Sequence, residues 1–283
     1  MREVLRNGMM QQPAAVVAHR RIARDHYQFS LRCPVIARTA RPGQFLHLAC
    51  SPEAQAWSDG GPLLRRPLSV YDADPRRGTC DVIYKVVGLG TEALRRVAVG
   101  ESLDVIGPLG TTFAADDRVT RAVLVGGGVG IPPLYFWAKA LAARGLTVEA
   151  YLGVQTAAYL ICAAAFRRLG VPTRVATDDG STGFHGFVTA LVERHFRRAR
   201  PADGTTLYVC GPTPMMQAAA GLAQRWRLPA QVSLEERMGC AMGVCMGCIV
   251  ETRGPHATAH KRFQRVCTEG PVFSSEQVVW RSH

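Results

Sequence analysis

Arg121-Ala-Val-Leu-Val-Gly126-Gly127-Gly128-Val-Gly130-Ile-Pro-Pro-Leu-Tyr-Phe-Trp137 is the stretch whose reading decides the fold. Its first apolar run is short and closes on glycine, as a strand buried on both faces does. The glycines make a tight turn, and Pro132 and Pro133 directly after it suit the first turn of a helix. Strand candidates recur at 147–152, 173–177 and 206–209, and helical stretches at 157–169, 188–197 and 214–226. This alternation predicts a parallel sheet with ligands at the carboxyl ends of its strands. The glycine turn departs from the strict dinucleotide fingerprint, because Ile131 stands where the third glycine or alanine belongs. Glu149 falls inside the next strand rather than at its end, so no acidic residue is cleanly placed for a ribose. A second strand-to-helix turn, Cys210-Gly211-Pro212-Thr-Pro214, comes after the last strand. Cys210 there reads either as a buried thiol or as part of a nicotinamide pocket. The loop Asp178-Asp-Gly-Ser-Thr-Gly183 suits an adenosine ribose or a plain solvated turn.

On the amino-terminal side, from Pro13 onward, the chain reads as short strands at 27–33, 44–49, 66–71, 80–87 and 101–106, separated by Gly, Pro and Asp turns. About six such strands argue for a small antiparallel barrel. Arg66-Pro67-Leu68-Ser69 places a guanidinium and a hydroxyl on one strand, and a guanidinium grips a pyrophosphate through paired hydrogen bonds. Val87-Gly-Leu-Gly90-Thr91 runs from a strand into a helix start, where Thr91 is the expected cap and free amides suit a phosphate. A strand arginine and a Gly-Thr turn are also ordinary structure.

On the carboxyl side stands Cys240-Ala-Met-Gly-Val-Cys245-Met-Gly-Cys248, answered after eighteen residues by Cys267. Cys-x4-Cys-x2-Cys with a distant fourth cysteine is the plant-type spacing for a [2Fe–2S] cluster. Gly243 and Gly247 let the chain wrap an inorganic core. A structural zinc site would ordinarily pair two Cys-x2-Cys hooks, and one is present. A disulfide set is the third reading. His256 and His260, between the third and fourth cysteines, are either decorations of an extended hairpin tip or replacements for a thiolate, as in Rieske centres.

A chain of 283 residues, 47% hydrophobic, holds two domains and a small appendage. The division read is 10–114 for the barrel, 118–229 for the α/β unit and 230–283 for the cysteine segment. The net charge of +12 comes mainly from dispersed arginines, without the aromatic-basic interleaving or finger motifs of nucleic-acid binding. The uncharged runs 122–138 and 204–224 are broken by Gly and Pro and do not read as membrane spans. No secretory signal is read at the start. Cys33, Cys50, Cys80 and Cys162 stand singly at apolar positions, which suits a reducing cytoplasm.

Taken in order, the Arg66–Ser69, Val87–Thr91, Gly126–Pro133 and Cys210–Pro214 motifs resemble the ferredoxin–NAD(P)H reductase superfamily. Ser233-Leu-Glu-Glu-Arg-Met-Gly-Cys240 and Arg265-Val-Cys267-Thr-Glu-Gly-Pro-Val-Phe273 narrow the resemblance, over roughly 13–273, to the electron-transfer subunits of B-type, NAD-dependent dihydroorotate dehydrogenases. The resemblance implies FAD in the barrel, NAD in the α/β unit and a [2Fe–2S] cluster on Cys240, Cys245, Cys248 and Cys267. It implies FAD contacts at Arg66, Pro67, Leu68, Ser69, Ile83, Tyr84, Lys85, Gly90 and Thr91. NAD is expected at Gly126, Gly127, Gly128, Gly130, Cys210, Gly211 and Pro212. The implied partner is an FMN-containing catalytic subunit oxidising dihydroorotate to orotate in UMP biosynthesis, commonly in a heterotetramer of two plus two. No catalytic side chain is needed, since the cofactors carry the chemistry. Related reductase subunits serving ferredoxin, glutamate synthase or a hydrogenase, and a cluster-based redox sensor, remain alternatives on these residues alone.

Overall fold

Alternation of inward and outward side chains builds the first unit. The protein is described by a computed structural model covering residues 3–4, 9–52, 62–253 and 262–280. Its amino-terminal strands are β1 (Glu3–Val4), β2 (Met10–Ala23), β3 (His26–Arg32), β4 (Phe45–Leu48), β5 (Arg66–Asp74), β6 (Thr79–Lys85) and β7 (Ser102–Leu109). Antiparallel pairing runs β2-β3-β6-β5-β4-β7, and β7 pairs back onto β2, closing a six-stranded barrel. Phe29, Leu31, Leu46, Leu48, Val70, Val82, Leu103 and Val105 fill it, each at 0% exposure. Each such side chain contributes about 1.5–3 kcal/mol of burial. β2 begins at Met10, ahead of Pro13, and runs fourteen residues with that proline inside it. Short helix α1 (Pro34–Thr39) comes after β3, and α2 (Leu89–Arg96) after β6.

The second unit alternates β8 (Arg121–Gly127), α3 (Ile131–Ala143), β9 (Thr147–Val154), α4 (Ala163–Arg168), β10 (Thr173–Thr177), β11 (Phe184–His185), α5 (Val188–Arg198), β12 (Thr205–Cys210), α6 (Thr213–Trp226) and β13 (Ala230–Ser233). The sheet order is β11-β10-β9-β8-β12-β13 with all of these parallel. The chain leaves β8 for β9 and later returns to β8's other side as β12, so the topological switch point lies between β8 and β12. The expected helix over 157–169 is instead a 3-10 turn, Ala157–Tyr159, and the short α4. The break falls at Cys162, which adopts φ +62°.

β14 (Ile249–Glu251) and β15 (Phe263–Arg265) form a hairpin, and β16 (Val272–Ser274) pairs antiparallel with β13. Thus 230–283 supplies the last two strands of the parallel unit's sheet. His256 and His260 lie outside the described residues. The barrel meets α3 through the stacked rings of Tyr71 and Tyr135, 4.9 Å apart, and through Lys139 Nζ donating to Asp72 at 2.8 Å. No helix among the described residues is long and apolar enough to cross a membrane.

Glu149 illustrates how the sheet manages charge. It lies near the start of β9, 4% exposed, and accepts hydrogen bonds from Arg121 (2.6 Å), Arg174 (2.9 Å) and the Tyr151 hydroxyl (3.1 Å). Glu149→Ala should therefore destabilise the fold by about 3 kcal/mol, the low end for breaking a buried pair, since both arginines are partly exposed. Urea unfolding followed by tryptophan fluorescence checks this, and an unshifted midpoint would refute it.

Candidate cofactor sites

Three places carry the site, and the fold brings them together. The first is on the barrel. Arg66 Nη1 donates to the Leu64 carbonyl at 2.6 Å, and its guanidinium lies over Gly90 in the first turn of α2. A Cβ on Gly90 would fall 2.5 Å from the Arg66 guanidinium carbon. Among the described residues Arg66 has no carboxylate partner, unlike Arg65, which pairs with Asp104. A guanidinium facing the positive end of a helix is unfavourable until an anion joins it, which fits a pyrophosphate.

Thr91 departs from the expected cap. It sits inside α2 and reaches backward, its hydroxyl accepting from the Val87 and Gly88 amides at 2.9 and 3.2 Å. The helix's own first-turn amides are left pointing outward. Pro67, Leu68 and Ser69 are half-buried along β5. Tyr84 turns its ring into the barrel, where its hydroxyl meets His19 Nε2 at 3.0 Å and burial pushes its pKa up. Ile83 packs into the apolar cluster shared with α3, and Lys85 faces the nucleotide cleft, its Nζ 4.3 Å from the Tyr159 ring centre.

Beside this place lies a buried histidine, His47. It is 1% exposed on β4, neither ring nitrogen has a hydrogen-bond partner, and burial with Arg65 nearby lowers its pKa to about 4.

The second place is a cleft of ≈ 530 Å³ at the carboxyl ends of β8, β9, β10 and β12. Gly127 and Gly128 line it with Pro212, Met215, Asp178 and, from the barrel, His26 and Lys85. Gly126 lies behind, against Ile131 and Leu134. Gly130 is pressed onto the next turn: a Cβ there would enter the Cys210 carbonyl and lie 2.5 Å from the Gly211 nitrogen. Ile131 replaces the fingerprint's third glycine without harm, because the close approach is made one residue earlier. Cys210 is 1% exposed and burial raises its pKa, so its thiol belongs to the core. Asp178 lines the cleft, while the Ser181 hydroxyl and amide hold the Asp179 carboxyl below its usual range.

The third place is the cysteine loop. Its turns use the left-handed region at Ala241, Gly243 and Met246. Cys240 adjoins Cys245, and Cys248 adjoins Cys267. Among the described residues no group of three metal-ligating side chains converges on one ion position. Two thiols and two thiols instead suit a centre with two irons. Burial pushes the Cys240 thiol up, but the amides of Cys245, Met242 and Val244 outweigh it and bring it down to about 7. Burial and the adjoining Cys248 thiol push Cys267 up to about 12, opposed by the Gly243 amide. Amides aimed at sulfur fit a thiolate-bound cluster, whose anionic sulfurs accept such bonds.

Two glycine substitutions separate these places. Gly90→Ala meets the movable end of Arg66, so it should leave the fold intact and weaken FAD binding at least about tenfold by loss of a charge-assisted contact. Gly130→Ala meets rigid backbone, so it should cost about 1–3 kcal/mol of stability. Flavin titration and thermal melts of both variants check this; unchanged flavin affinity in Gly90→Ala would detach Arg66 from the ligand.

Residues 235–279 match the iron-sulfur cluster binding domain of dihydroorotate dehydrogenase B, and 124–221 match the oxidoreductase NAD-binding domain. The electron transfer subunit of dihydroorotate dehydrogenase B (NAD(+)) from Bacillus caldolyticus is 42% identical over 267 residues, covering 93% of this chain and 96% of that protein. The corresponding subunit from Desulforamulus reducens is 37% identical, covering 94% and 97%. Among solved structures, an NADH-dependent reduced ferredoxin-NADP oxidoreductase superposes with TM-score 0.80 at 33% identity, covering 94% of this chain and 90% of that one. The ferredoxin reductase of carbazole 1,9a-dioxygenase, at 22% identity and TM-score 0.65, shares the fold. With its cysteines paired for a binuclear cluster, a cleft at the switch point and relatives matched over nearly their whole length, the chain belongs to the family of dihydroorotate dehydrogenase B (NAD(+)) electron transfer subunits.

Proposed function

We propose that this chain carries electrons between NAD, held at the switch-point cleft, and an FMN-containing subunit that oxidises dihydroorotate to orotate. The residues assigned are Arg66–Ser69, Gly90 and Thr91 for FAD, the 126–130 and 210–212 turns for NAD, and the four paired cysteines for the cluster. The working division is 10–114 for flavin, 118–229 for nicotinamide and 230–283 for the cluster, in a cytoplasmic heterotetramer of two plus two.

One observation carries this reading. Cys248 and Cys267 are 2% and 1% exposed within an apolar cluster that also contains Phe45, Ile106 and Leu109 of the barrel and Val123, Val125 and Val209 of the parallel sheet. Cys245 faces solvent, flanked by Val244 and Met246, 76% and 49% exposed. One thiol pair therefore backs onto the two nucleotide-binding units while the other borders a surface open to a partner.

The chain's own work is holding and shielding. Arg66 and α2 neutralise a pyrophosphate, the glycine turns admit a nicotinamide nucleotide, and the apolar cluster excludes water from the inner thiols. Bound flavin supplies the exchange between a two-electron hydride and the single electrons a [2Fe–2S] centre handles.

Cys245→Ser replaces a soft thiolate with a harder, less acidic oxygen. Iron content should fall, and NADH-dependent orotate reduction with the FMN subunit should drop at least about a hundredfold, because onward transfer needs the cluster. Bleaching of FAD by NADH should persist. Normal orotate reduction by a cluster-free assembly would sink the reading.

A further inference from the structure

Arg265 stands on β15, in the segment that returns to supply the fourth cysteine, yet its side chain reaches into the loop that holds the first three. Its Nη1 donates to the Gly243 carbonyl at 2.7 Å. The amide of that same peptide group, Val244 N–H, points to Cys240 Sγ at 3.3 Å, beside the Cys245 amide at 3.3 Å. The rest of the guanidinium is engaged by Glu269, through Nε to Oε2 at 3.0 Å and Nη2 to Oε1 at 2.5 Å. Gly243 adopts φ +82°, and a Cβ there would lie 2.8 Å from Thr268 Cγ2 and 3.2 Å from Arg265 Nη1, so the backbone and its surroundings at this turn favour glycine.

We propose that Arg265 sets the reduction potential of the cluster, acting as a positioning residue through the Gly243–Val244 peptide. This rests on the assignment of the four cysteines as cluster ligands. A cation donating to a peptide oxygen polarises the group, and its N–H becomes a stronger donor to sulfur. Stronger donation to a thiolate ligand favours the more negative, reduced centre. Glu269 has the opposite effect, because its carboxylate offsets part of the guanidinium charge. The pair is a setting with two directions: loss of the cation lowers the potential, and loss of the carboxylate raises it.

The test is an electrochemical titration of the full chain loaded with FAD and cluster, the cluster followed by electron paramagnetic resonance and FAD by its absorbance. Arg265→Gln should disfavour one-electron reduction of the cluster about tenfold, a fall of about 59 mV. Glu269→Gln should shift the same equilibrium the other way, and the FAD potential should stay put in both. A potential unchanged in Arg265→Gln, or shifts of one sign in the two variants, overturns the proposal in favour of a plain structural clamp. Should Arg265→Gln fail to retain iron, Glu269→Gln decides alone: a rise supports the proposal, and no change or a fall overturns it. Absence of iron from the unsubstituted chain after anaerobic purification would instead strike the cluster assignment.

Discussion

Gly130 seated on the Cys210–Gly211 backbone is the contact on which the rest depends. It allows β8 and β12 to pair from Thr205↔Arg121 to Cys210↔Gly126 and their two turns to sit side by side at the switch point. A side chain at 130 would part those turns, and the cleft between them would lose its floor. Because β13 pairs with β12, and β16 with β13, the cysteine segment inherits its position from the same seam. The barrel is also attached at α3, at the Ala157–Tyr159 turn, where the Arg24 amide bonds the Ala158 carbonyl, and at the Thr111–Val272 contact, where the Thr111 hydroxyl bonds both the amide and the carbonyl of Val272.

Charge keeps to a consistent pattern. Arg65 faces Asp104, Arg121 and Arg174 share Glu149, and Arg265 meets Glu269. Arg66 is the contrasting case, meeting only carbonyls among the described residues. A basic chain of net charge +12 thus commits several arginines to internal carboxylates and leaves one at the place where the phosphates of a dinucleotide are expected.

Much of this was legible because the periodicities are strong. Val123, Val125 and Val209 in short apolar runs gave the parallel strands, and alternation around Phe29 and Leu31 gave the barrel. The cysteine spacing gave the loop because metal ligation leaves a rigid pattern in sequence. What was not legible depends on direction rather than pattern. Whether Tyr84 points into the barrel or outward is set by which face β6 turns inward, and one residue of register decides it. Thr91 has the composition of a cap, but the helix starts two residues before it, so its hydroxyl works backward. The break at Cys162 carries no glycine or proline to announce it. β13 and β16 are short strands, recognisable only once β12 offers β13 a neighbour and β13 offers one to β16.

The pairing of β13 with β16 makes the cysteine loop an insertion between two adjacent strands of one sheet edge. A segment tethered at one end swings like a pendulum; one anchored at both ends to neighbouring strands is a bracket. Leu234 N–H bonding the Pro271 carbonyl at 2.9 Å, next to the Ser233↔Val272 pair, closes that bracket at its base. The span from the thiols to the nicotinamide sheet is therefore fixed by backbone hydrogen bonds rather than by a hinge. Electron tunnelling weakens steeply with separation, so a bracket of this kind protects the rate from thermal motion.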